Sequence, residues 1–401
     1  MHDSSNRRRY RKKRKIRYTH DNSRFGKRNR ISFAGFLERT ISVLILILAI
    51  LSVNVFGALF IICRGPSVKA RDLFVSTVTQ TSAAGFLAHI FLTDDEVTAI
   101  LAKEESTGSM TGAISDTDMV TVNSTDSDGQ DSDDGKSDSG GSDGKSGSGG
   151  SDGKSVSGSG DGKSVSESGD DKGEDGIRVD DVSGPSFNGK MMIISDPSRV
   201  HVYTLDSYGE VRTGKQLIDM IDEEGAVAGV NAGGFYDPEG HGKGGLALGP
   251  VIRNGTLISN YESDYHTLIG FSADHKLMTG NIPASDAIAS GMNEGITFGP
   301  VLVSGGERVP FTDTAGGLNP RTAIGQTSDG SVLLLVINGR QPGSLGASFK
   351  DLVDVMLEYG AVNAANLDGG SSSLMYYKGE QLNSSSSLVG LRPLPDAILV
   401  K

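Results

Sequence analysis

The sequence contains no tryptophan and only one cysteine, Cys63, among its 401 residues. A single thiol cannot form a disulfide within the chain, so a packed core must stabilise the folded parts. Only 36% of the residues are hydrophobic, whereas glycine occurs 55 times. These proportions predict that a sizeable part of the chain lies outside any core. The seven histidines show no metal-ligand spacing such as HExxH, so we expect neither a metal nor another cofactor.

Charge is distributed unevenly along the chain, although the net value is −12. The first 30 residues are strongly basic, and alone they could form a nucleic-acid-binding arm or a localisation patch. The basic positions are Arg7, Arg8, Arg9, Arg11, Lys12, Lys13, Arg14, Lys15, Arg17, Arg24, Lys27, Arg28 and Arg30.

An uncharged apolar run, Ile41 to Cys63, follows the basic region. About 20 apolar residues span a bilayer as a helix, and Lys/Arg-rich flanks stay in the cytoplasm. We therefore expect a cytoplasmic tail at 1–40, a transmembrane helix at 41–63 and an extracellular remainder. The basic tail then contacts anionic lipid, and no nucleic-acid partner is expected. A cleaved signal peptide is the alternative, but the basic region is long and the apolar run is extended.

Two non-catalytic segments are predicted after the membrane helix. Residues 64–103 carry apolar side chains at loosely helical spacing, which indicates a short helical stalk that could self-associate. No chemistry is recognisable there. Residues 104–185 are rich in Ser, Gly and Asp, a composition that cannot bury enough apolar surface to fold. They are predicted to form a disordered linker that acts as a tether.

The globular domain is predicted to run from Ser186 to Lys401. Short strands alternate with helical patterns at Thr213–Glu224 and Ser344–Tyr359. A strand–helix–strand crossover is expected from Val332–Ile337 to Ala361–Leu367. The fold class is therefore predicted to be α+β (mixed α/β), with a twisted mixed sheet and flanking helices.

The most informative segment of the chain is Asn366-Leu-Asp-Gly-Gly-Ser-Ser-Ser, which directly follows a buried strand. Glycines allow amide groups to converge on a bound anion, and Asp368 supplies a carboxylate at the strand end. Open sheets with crossover helices commonly place their chemistry at such ends. We therefore interpret the segment as a functional loop instead of a structural turn.

Six motifs occur in order in this part of the chain: Asn231-Ala-Gly-Gly-Phe-Tyr, Phe298-Gly-Pro-Val-Leu-Val, Arg321-Thr-Ala-Ile-Gly, Asn338-Gly-Arg340, the Asp368 segment and Arg392-Pro393. Together they resemble the phosphodiester glycosidase family over residues 190–401. One departure is Tyr236, where the family pattern leads us to expect a second Phe. The resemblance implies a hydrolase that breaks the bond between a sugar and a phosphate.

The reaction passes through an oxocarbenium-like state and expels a phosphate monoester. Glycosidases usually need two carboxylates, but an anionic leaving group lets a cation and N–H donors replace part of the acid. Asp368 is the candidate nucleophile or base for water; the alternative is a cap on the following amides. Arg321 is the candidate phosphate ligand, because its planar fork pairs bidentately with phosphate oxygens. A structural salt bridge is its alternative role.

Further substrate-binding candidates lie in the same motifs. Amide and hydroxyl groups of the Asp368 loop suit phosphate or sugar hydroxyls, and aromatic rings can stack on a pyranose. The candidates are Asn231, Gly233, Phe235, Tyr236, His241, Arg340, Gly369, Gly370, Ser371, Ser372 and Arg392. The choice of a second carboxylate stays open among Asp237, Glu239, Glu294 and Asp313.

Two functions fit these patterns. The first is a membrane-anchored extracellular hydrolase that cleaves sugar-1-phosphodiesters in an envelope glycan or exopolysaccharide. The second is a non-catalytic glycan-binding or assembly protein that uses the same pocket without turnover. Both take a carbohydrate or sugar-phosphate polymer as the partner, and the acid–Arg–Gly-Gly combination favours the hydrolase.

Overall fold

A computed structural model describes residues 33–81, 84–108, 114–122, 173–261, 267–387 and 390–401. The basic tail up to residue 32 and the linker from 123 to 172 lie outside these ranges. The helices are α1 (Phe33–Arg64), α2 (Val68–Thr79), α3 (Asp94–Gly108), α4 (Leu217–Glu224), α5 (Ala284–Ala289) and α6 (Phe349–Glu358).

The strands are short and follow α3 in the chain. They are β1 (Ile177–Ser183), β2 (Asn188–Ile194), β3 (Val200–Thr204), β4 (Ala228–Asn231), β5 (Gly249–Arg253), β6 (Thr256–Tyr261), β7 (Thr267–Ser272), β8 (Leu277–Asn281), β9 (Met292–Phe298), β10 (Val301–Ser304), β11 (Glu307–Arg308), β12 (Arg321–Thr327), β13 (Val332–Ile337), β14 (Ala361–Leu367), β15 (Met375–Tyr377), β16 (Glu380–Gln381) and β17 (Asp396–Val400).

Helix α1 contains the one stretch, Phe36–Arg64, that is long and apolar enough to cross a membrane among the residues described. It starts before the predicted Ile41, because the helical pattern extends into the preceding Phe and Leu residues. The chain divides into two compact units, Met1–Leu59 and Phe60–Lys401. The strands and helices α2 to α6 all belong to the second unit.

The strands form three sheets. Their orders are β1-β2-β13-β12-β14-β10-β11, β16-β15-β4-β17-β3 and β6-β5-β9-β7-β8. The α+β class is confirmed, although the structure has three sheets where one mixed sheet was predicted. The ladders are antiparallel throughout the described strands.

A central core forms where the three sheets meet. Met192, Leu334 and Ile324 of the large sheet pack with Val230 and Ile398 of the second sheet. Ile269, Phe271 and Ile296 of the third sheet complete the same cluster. Strands β12, β13 and β14 are buried along almost their whole length. They therefore provide a rigid base for the loops at their ends.

Helix α6 provides the predicted crossover between β13 and β14. It begins at a capping box, in which Ser348 and Asp351 exchange side-chain and backbone hydrogen bonds. Its apolar side, with Leu352, Val353 and Met356, packs on the large sheet. The helix starts later than the predicted Ser344, because the cap falls at Ser348. Strand β12 lies between β13 and β14 and is antiparallel to both, so these two run in the same direction.

The predicted domain boundaries need correction at both ends of the linker. Strand β1 lies before Ser186, and it pairs with β2 over its full length from Ile177↔Ile194 to Ser183↔Asn188. Ile177 and Val182 are buried in the core. The apolar positions at every second or third residue of Ile177–Val182 are therefore a true strand pattern, although the neighbouring composition obscures it.

A short segment inside the predicted linker, residues 114–122, also docks on the domain. Ser115 donates its N–H to the Thr279 carbonyl over 2.7 Å, and Thr121 donates to the Ser328 carbonyl over 2.9 Å. Val120 is buried. The linker is therefore shorter than 104–185. Docked residues therefore both precede and follow 123–172.

The predicted stalk is helical and packs against the domain. Helices α2 and α3 share an apolar cluster that includes Val75, Val78, Val97 and Ile100. Lys69 of α2 forms an exposed ion pair with Asp313, with 2.8 Å between Nζ and Oδ2. Self-association through the stalk stays a prediction.

Candidate active site

The register of the large sheet brings three sequence motifs to one edge. Arg321 starts β12 opposite Ile337, the last residue of β13, and Thr322 lies opposite Leu367, the last residue of β14. Because β12 is antiparallel to both neighbours, its start lies beside their ends. The loops that carry Arg340 and Asp368 therefore meet at Arg321.

Two further loops reach the same edge. Asp368 donates its N–H to the Ala232 carbonyl over 2.8 Å, which brings the segment after β4 alongside the Asp368 loop. The residues before β10 are held by Asn366, whose Nδ2 donates to the Gly299 carbonyl over 2.7 Å. Five motifs that are distant in sequence thus lie together at this edge of the large sheet.

A cavity of about 700 Å³ opens at this edge. Its polar wall includes Asp237, Asn281, Asn319, Arg321, Arg340, Asn366, Asp368, Gly369, Gly370, Ser371, Ser372 and Arg392, and its apolar wall includes Phe235, Leu248, Phe298, Pro300, Phe311 and Phe349. Thr79, Gln80, Leu101 and Glu104 of the helical stalk also line it. The combination of aromatic surface with acids and arginines suits a ligand that has a sugar-like face and an anionic group.

Asp368 is one of the residues that line this cavity. Burial raises the pKa of its carboxyl to about 6, although hydrogen bonds from Ser372 and the Gly369 backbone favour the charged form. A carboxylate with such a pKa is ionised at neutral pH and remains a competent base or nucleophile. Asn231 fixes the loop by donating its Nδ2 to the Asp368 carbonyl over 2.6 Å.

Arg321 lines the cavity, but most of its donors are used inside the protein. Its Nε donates to the Ala347 carbonyl over 3.1 Å, and Nη2 donates to the carbonyls of Gly316 and Gly317. The guanidinium also lies over the Phe349 ring, 4.5 Å from its centroid. At most Nη1 can therefore reach a substrate, so the expected bidentate contact with phosphate does not fit this arrangement.

Arg340 presents more of its guanidinium to the cavity. Among the described residues its hydrogen-bond partners are the Gln80 carbonyl (3.2 Å) and Asn319 Oδ1 (2.9 Å), both on Nη2. A Cβ placed on Gly370 would lie 3.4 Å from Nη1, so the guanidinium faces the Asp368 loop. The residue has a φ of 57°, a left-handed conformation that is uncommon outside glycine and is found at functional sites.

Arg392 and Asp237 form a bidentate ion pair on another side of the cavity. The distances are 2.8 Å for Nη1–Oδ2 and 2.6 Å for Nη2–Oδ1. The guanidinium lies over the Phe235 ring, 4.6 Å from its centroid. Burial raises the pKa of Asp237, but Arg392 and the Gly242 N–H outweigh this and hold it below its usual value. Asp237 is therefore a fixed anion, which does not suit a general acid.

The amides after Asp368 do not form the expected open anion nest. Gly370 donates its N–H to the Pro320 carbonyl, and Ser372 donates to the Gly369 carbonyl. The Gly369 N–H contacts the Asp368 carboxylate. Gly370–Ser372 folds as a 3₁₀ turn. Its N–H donors are used by carbonyls just before the turn and just before β12. The residues line the cavity, but the side chains and the nearby arginines are better placed to bind an anion.

Four predicted substrate-binding residues lie outside the cavity lining. Asn231 is fully buried, and its Oδ1 accepts hydrogen bonds from Thr322 Oγ1 (2.7 Å) and the Leu374 N–H (3.0 Å). It therefore joins β4 to β12 and to the Asp368 loop. Gly233 packs on a buried carboxyl, Tyr236 is exposed beside Tyr261, and His241 is exposed.

The structure leaves fewer candidates for a second carboxylate. Asp237 lines the cavity, whereas Glu294 is bound to the Val202 N–H and Asp313 is paired with Lys69. The side chain of Glu239 lies outside the described part of the chain. No group of three or more metal-ligating side chains is found among the described residues.

Asp396 is a buried carboxyl that sequence reasoning missed. Its Oδ1 accepts the Gly233 N–H, while Oδ2 is buried without a hydrogen-bond partner among the described residues. A Cβ on Gly233 would lie 2.8 Å from Oδ2, so this position requires glycine. Burial raises the pKa of Asp396 to about 7, and the charge on Asp368 acts in the same direction. The acid at the start of the apolar run Ala397–Val400 was the available signal.

The fold and the cavity thus define an α+β domain with an acid-and-arginine site at the edge of its largest sheet. Residues 224–401 match the phosphodiester glycosidase family. The predicted resemblance to this family is confirmed for the C-terminal part of the chain. The match supports a glycosidase that acts on sugar phosphodiesters.

Two curated relatives each match part of the chain. The SPbeta prophage-derived uncharacterized protein YomE of Bacillus subtilis is 29% identical over 190 residues, which cover 45% of this chain and 29% of YomE. The N-acetylglucosamine-1-phosphodiester alpha-N-acetylglucosaminidase of Bos taurus is 26% identical over 165 residues, which cover 37% of this chain and 30% of that protein. The chain therefore spans less than a third of the length of either relative.

Solved structures show a partial likeness. The zebrafish N-acetylglucosamine-1-phosphodiester alpha-N-acetylglucosaminidase catalytic domain, auto-inhibited by its pro-peptide, aligns with a TM-score of 0.45 and 20% identity over 56% of this chain and 81% of that chain. A putative exported protein from Burkholderia pseudomallei K96243 aligns with a TM-score of 0.40 and 16% identity over 53% and 74% of the two chains.

Proposed function

We propose that this chain is a membrane-anchored hydrolase that cleaves the glycosidic bond between a sugar and a phosphate in an envelope glycan or exopolysaccharide. The observation that carries the proposal is the place of Asp368. It lines the same cavity as Arg340 and Arg392. The family match of residues 224–401 supports the same class of reaction.

Asp368 attacks the anomeric carbon or takes a proton from the attacking water in this proposal. Its charge also stabilises the oxocarbenium-like transition state, which the apolar surroundings strengthen by excluding water. Its elevated pKa of about 6 matches a base that operates near neutral pH. The aromatic ring of Phe298 in the cavity wall offers a face for the sugar.

Arg340 binds the phosphate that leaves. The departing phosphate monoester is already a stable anion, so a guanidinium can balance its charge without full protonation. Arg340 is assigned this role ahead of Arg321, because fewer of its donors are used within the protein. Arg321 instead holds the loop that contains Gly316 and Gly317.

Turnover of a chromogenic sugar phosphodiester by the full chain in detergent micelles tests the proposal. A panel of sugars with the same phosphate leaving group identifies the preferred sugar. Hydrolysis that depends on Asp368 supports the assignment. Binding of the compounds without any product supports a glycan-binding or assembly protein instead.

The location in the cell envelope is tested separately. The basic tail before α1 and the apolar length of α1 support a cytoplasmic N-terminus and an extracellular domain. Protease added to intact cells should cut the chain after α1 while it spares an N-terminal tag. Protection of the C-terminal part would show that this orientation is wrong.

A further inference from the structure

Helices α2 and α3 lie outside the family-matched residues, yet they line the cavity. Thr79 and Gln80 come from the end of α2, and Leu101 and Glu104 come from α3. No chemical role was predicted for this segment, yet its side chains lie in the cavity wall.

Gln80 is bound to two residues of the cavity wall. Its backbone carbonyl accepts a hydrogen bond from Arg340 Nη2 over 3.2 Å, and its Oε1 accepts one from Asn319 Nδ2 over 3.2 Å. Asn319 in turn accepts from Arg340 Nη2 through its Oδ1, over 2.9 Å. Gln80, Asn319 and Arg340 therefore form a closed set of hydrogen bonds.

The loop that precedes β12 is held by the same helices. Thr77 Oγ1 accepts the Leu318 N–H over 2.9 Å. A Cβ on Gly317 would overlap the Thr77 backbone, so α2 contacts this loop directly. Glu104 accepts a hydrogen bond from Ser76 Oγ and also bonds to Thr314 and the Gly316 backbone.

We propose that α2 and α3 are a structural part of the substrate site, and that Gln80 is a positioning residue that holds Arg340 toward Gly370 for phosphate recognition. This inference rests on the proposed function, because it takes a phosphate group as the ligand.

The physical reason is preorganisation. A long arginine side chain loses rotamer freedom when it binds an anion, and this loss weakens binding. Two acceptors on Nη2 fix the guanidinium before the ligand arrives. The Gln80 side chain contributes indirectly, because it keeps Asn319 in the orientation that offers Oδ1 to Arg340.

The test uses the full chain in detergent micelles and inorganic phosphate as the probe, with calorimetric titration as the measurement. Asn319 Nδ2 donates both to Gln80 Oε1 and to the Gly316 carbonyl, at 3.2 and 3.0 Å. Gln80→Ala removes the first of these acceptors and should weaken phosphate binding about 5- to 20-fold, as expected for the loss of one hydrogen bond to an ion-binding network. Gln80→Glu keeps an acceptor and should restore binding to within about 3-fold. Thr77→Val, which leaves the Leu318 N–H without its partner, should also weaken binding.

Lys69→Ala is the matched control. It breaks another contact between α2 and the loop that precedes β12, the exposed ion pair with Asp313. The hydrogen bonds of Arg340 are left in place. Phosphate binding should stay unchanged in this variant. For the enzyme, the KM of the phosphodiester should rise in Gln80→Ala while kcat changes by less than about 2-fold.

Two results would overturn the inference. Phosphate affinity in Gln80→Ala and Thr77→Val equal to that of the wild type would show that the helices only cover the domain. Faster turnover in these variants would show that the helices obstruct the site. If the wild type hydrolyses no sugar phosphodiester but phosphate binding depends on Gln80, the proposed function fails and the positioning role stands.

Discussion

Arg392 holds Asp237 with both of its terminal nitrogens, at 2.6 and 2.8 Å, while its guanidinium lies over the ring of Phe235. Phe235 and Arg392 come from two of the motifs that carry the family resemblance, and Asp237 directly follows the first of them. The pair removes Asp237 as a proton donor, since the guanidinium favours the ionised form. Asp368 lines the same cavity, and burial raises its pKa to about 6.

Asp368→Asn should abolish turnover of a sugar phosphodiester and leave the fold intact. The substitution keeps the size and hydrogen bonding of the side chain but removes the charge needed in the transition state. We expect kcat to fall by about 10³-fold or more, with a melting temperature no lower than that of the wild type. Asp206→Asn, which removes an exposed carboxylate, is the control and should have normal activity. Near-normal turnover in Asp368→Asn would make Asp368 a turn residue.

The pH dependence of turnover should follow the ionisation of Asp368. The acid must be deprotonated to act as a nucleophile or base, and its pKa is about 6. The value of kcat/KM should therefore rise from pH 5 to pH 7, with a midpoint near pH 6, and then level off. A rate profile measured with the chromogenic substrate checks this. A rate that falls over the same interval would require the protonated form.

Asp396→Asn should reduce the loss of stability at high pH. The pKa of Asp396 is raised by folding from its ordinary value to about 7, so the folded state holds its proton more tightly. The contribution of Asp396 to the free energy of unfolding is then greatest at low pH, and it is lost as the pH rises through 7. The melting temperature of the wild type should drop more between pH 5 and pH 8 than that of Asp396→Asn. Each 1 kcal/mol corresponds to about 2–4 °C in a domain of this size. Parallel pH curves for the two proteins would contradict the assignment.

Arg340→Lys and Arg321→Lys should have different effects. Lysine keeps the charge but loses the planar fork. At position 340 the change should weaken phosphate binding by roughly 2–4 kcal/mol, similar to the loss of an oxyanion donor. At position 321 it should mainly lower the melting temperature, because the guanidinium holds buried carbonyls of Gly316, Gly317 and Ala347. Equal loss of phosphate affinity in both variants would return Arg321 to the role of phosphate ligand.

A chain that starts at Ser186 should be less stable than one that starts at Phe60. The shorter chain lacks β1, the segment 114–122 and helices α2 and α3, all of which pack on the domain. Loss of the buried side chain of Ile177 alone is expected to cost about 2–5 kcal/mol. Thermal melts of the two chains measure the difference. Identical melting temperatures would show that the domain begins at Ser186, as its composition first suggested.

The sequence identified the fold class, and its motifs contain part of the cavity lining, because both depend on local patterns. Apolar runs gave the buried strands β12–β14, and the break at Asp368-Gly-Gly indicated the loop at the strand end. The contacts of individual side chains could not be predicted in the same way. Asn231 and Arg321 are polar residues at strand ends, and only the sheet register shows that they bind protein groups. Glu104 and Gln80 reach the cavity through packing across more than 200 residues of sequence separation, which no local pattern encodes.

The residues that flank positions 123–172 on both sides, 114–122 and β1, dock on the same compact unit. A protease that cuts between these two flanks would therefore leave two polypeptides that stay associated until they are denatured. Shaving experiments on cells must for that reason be read on denaturing gels, because release into the medium would underestimate cleavage.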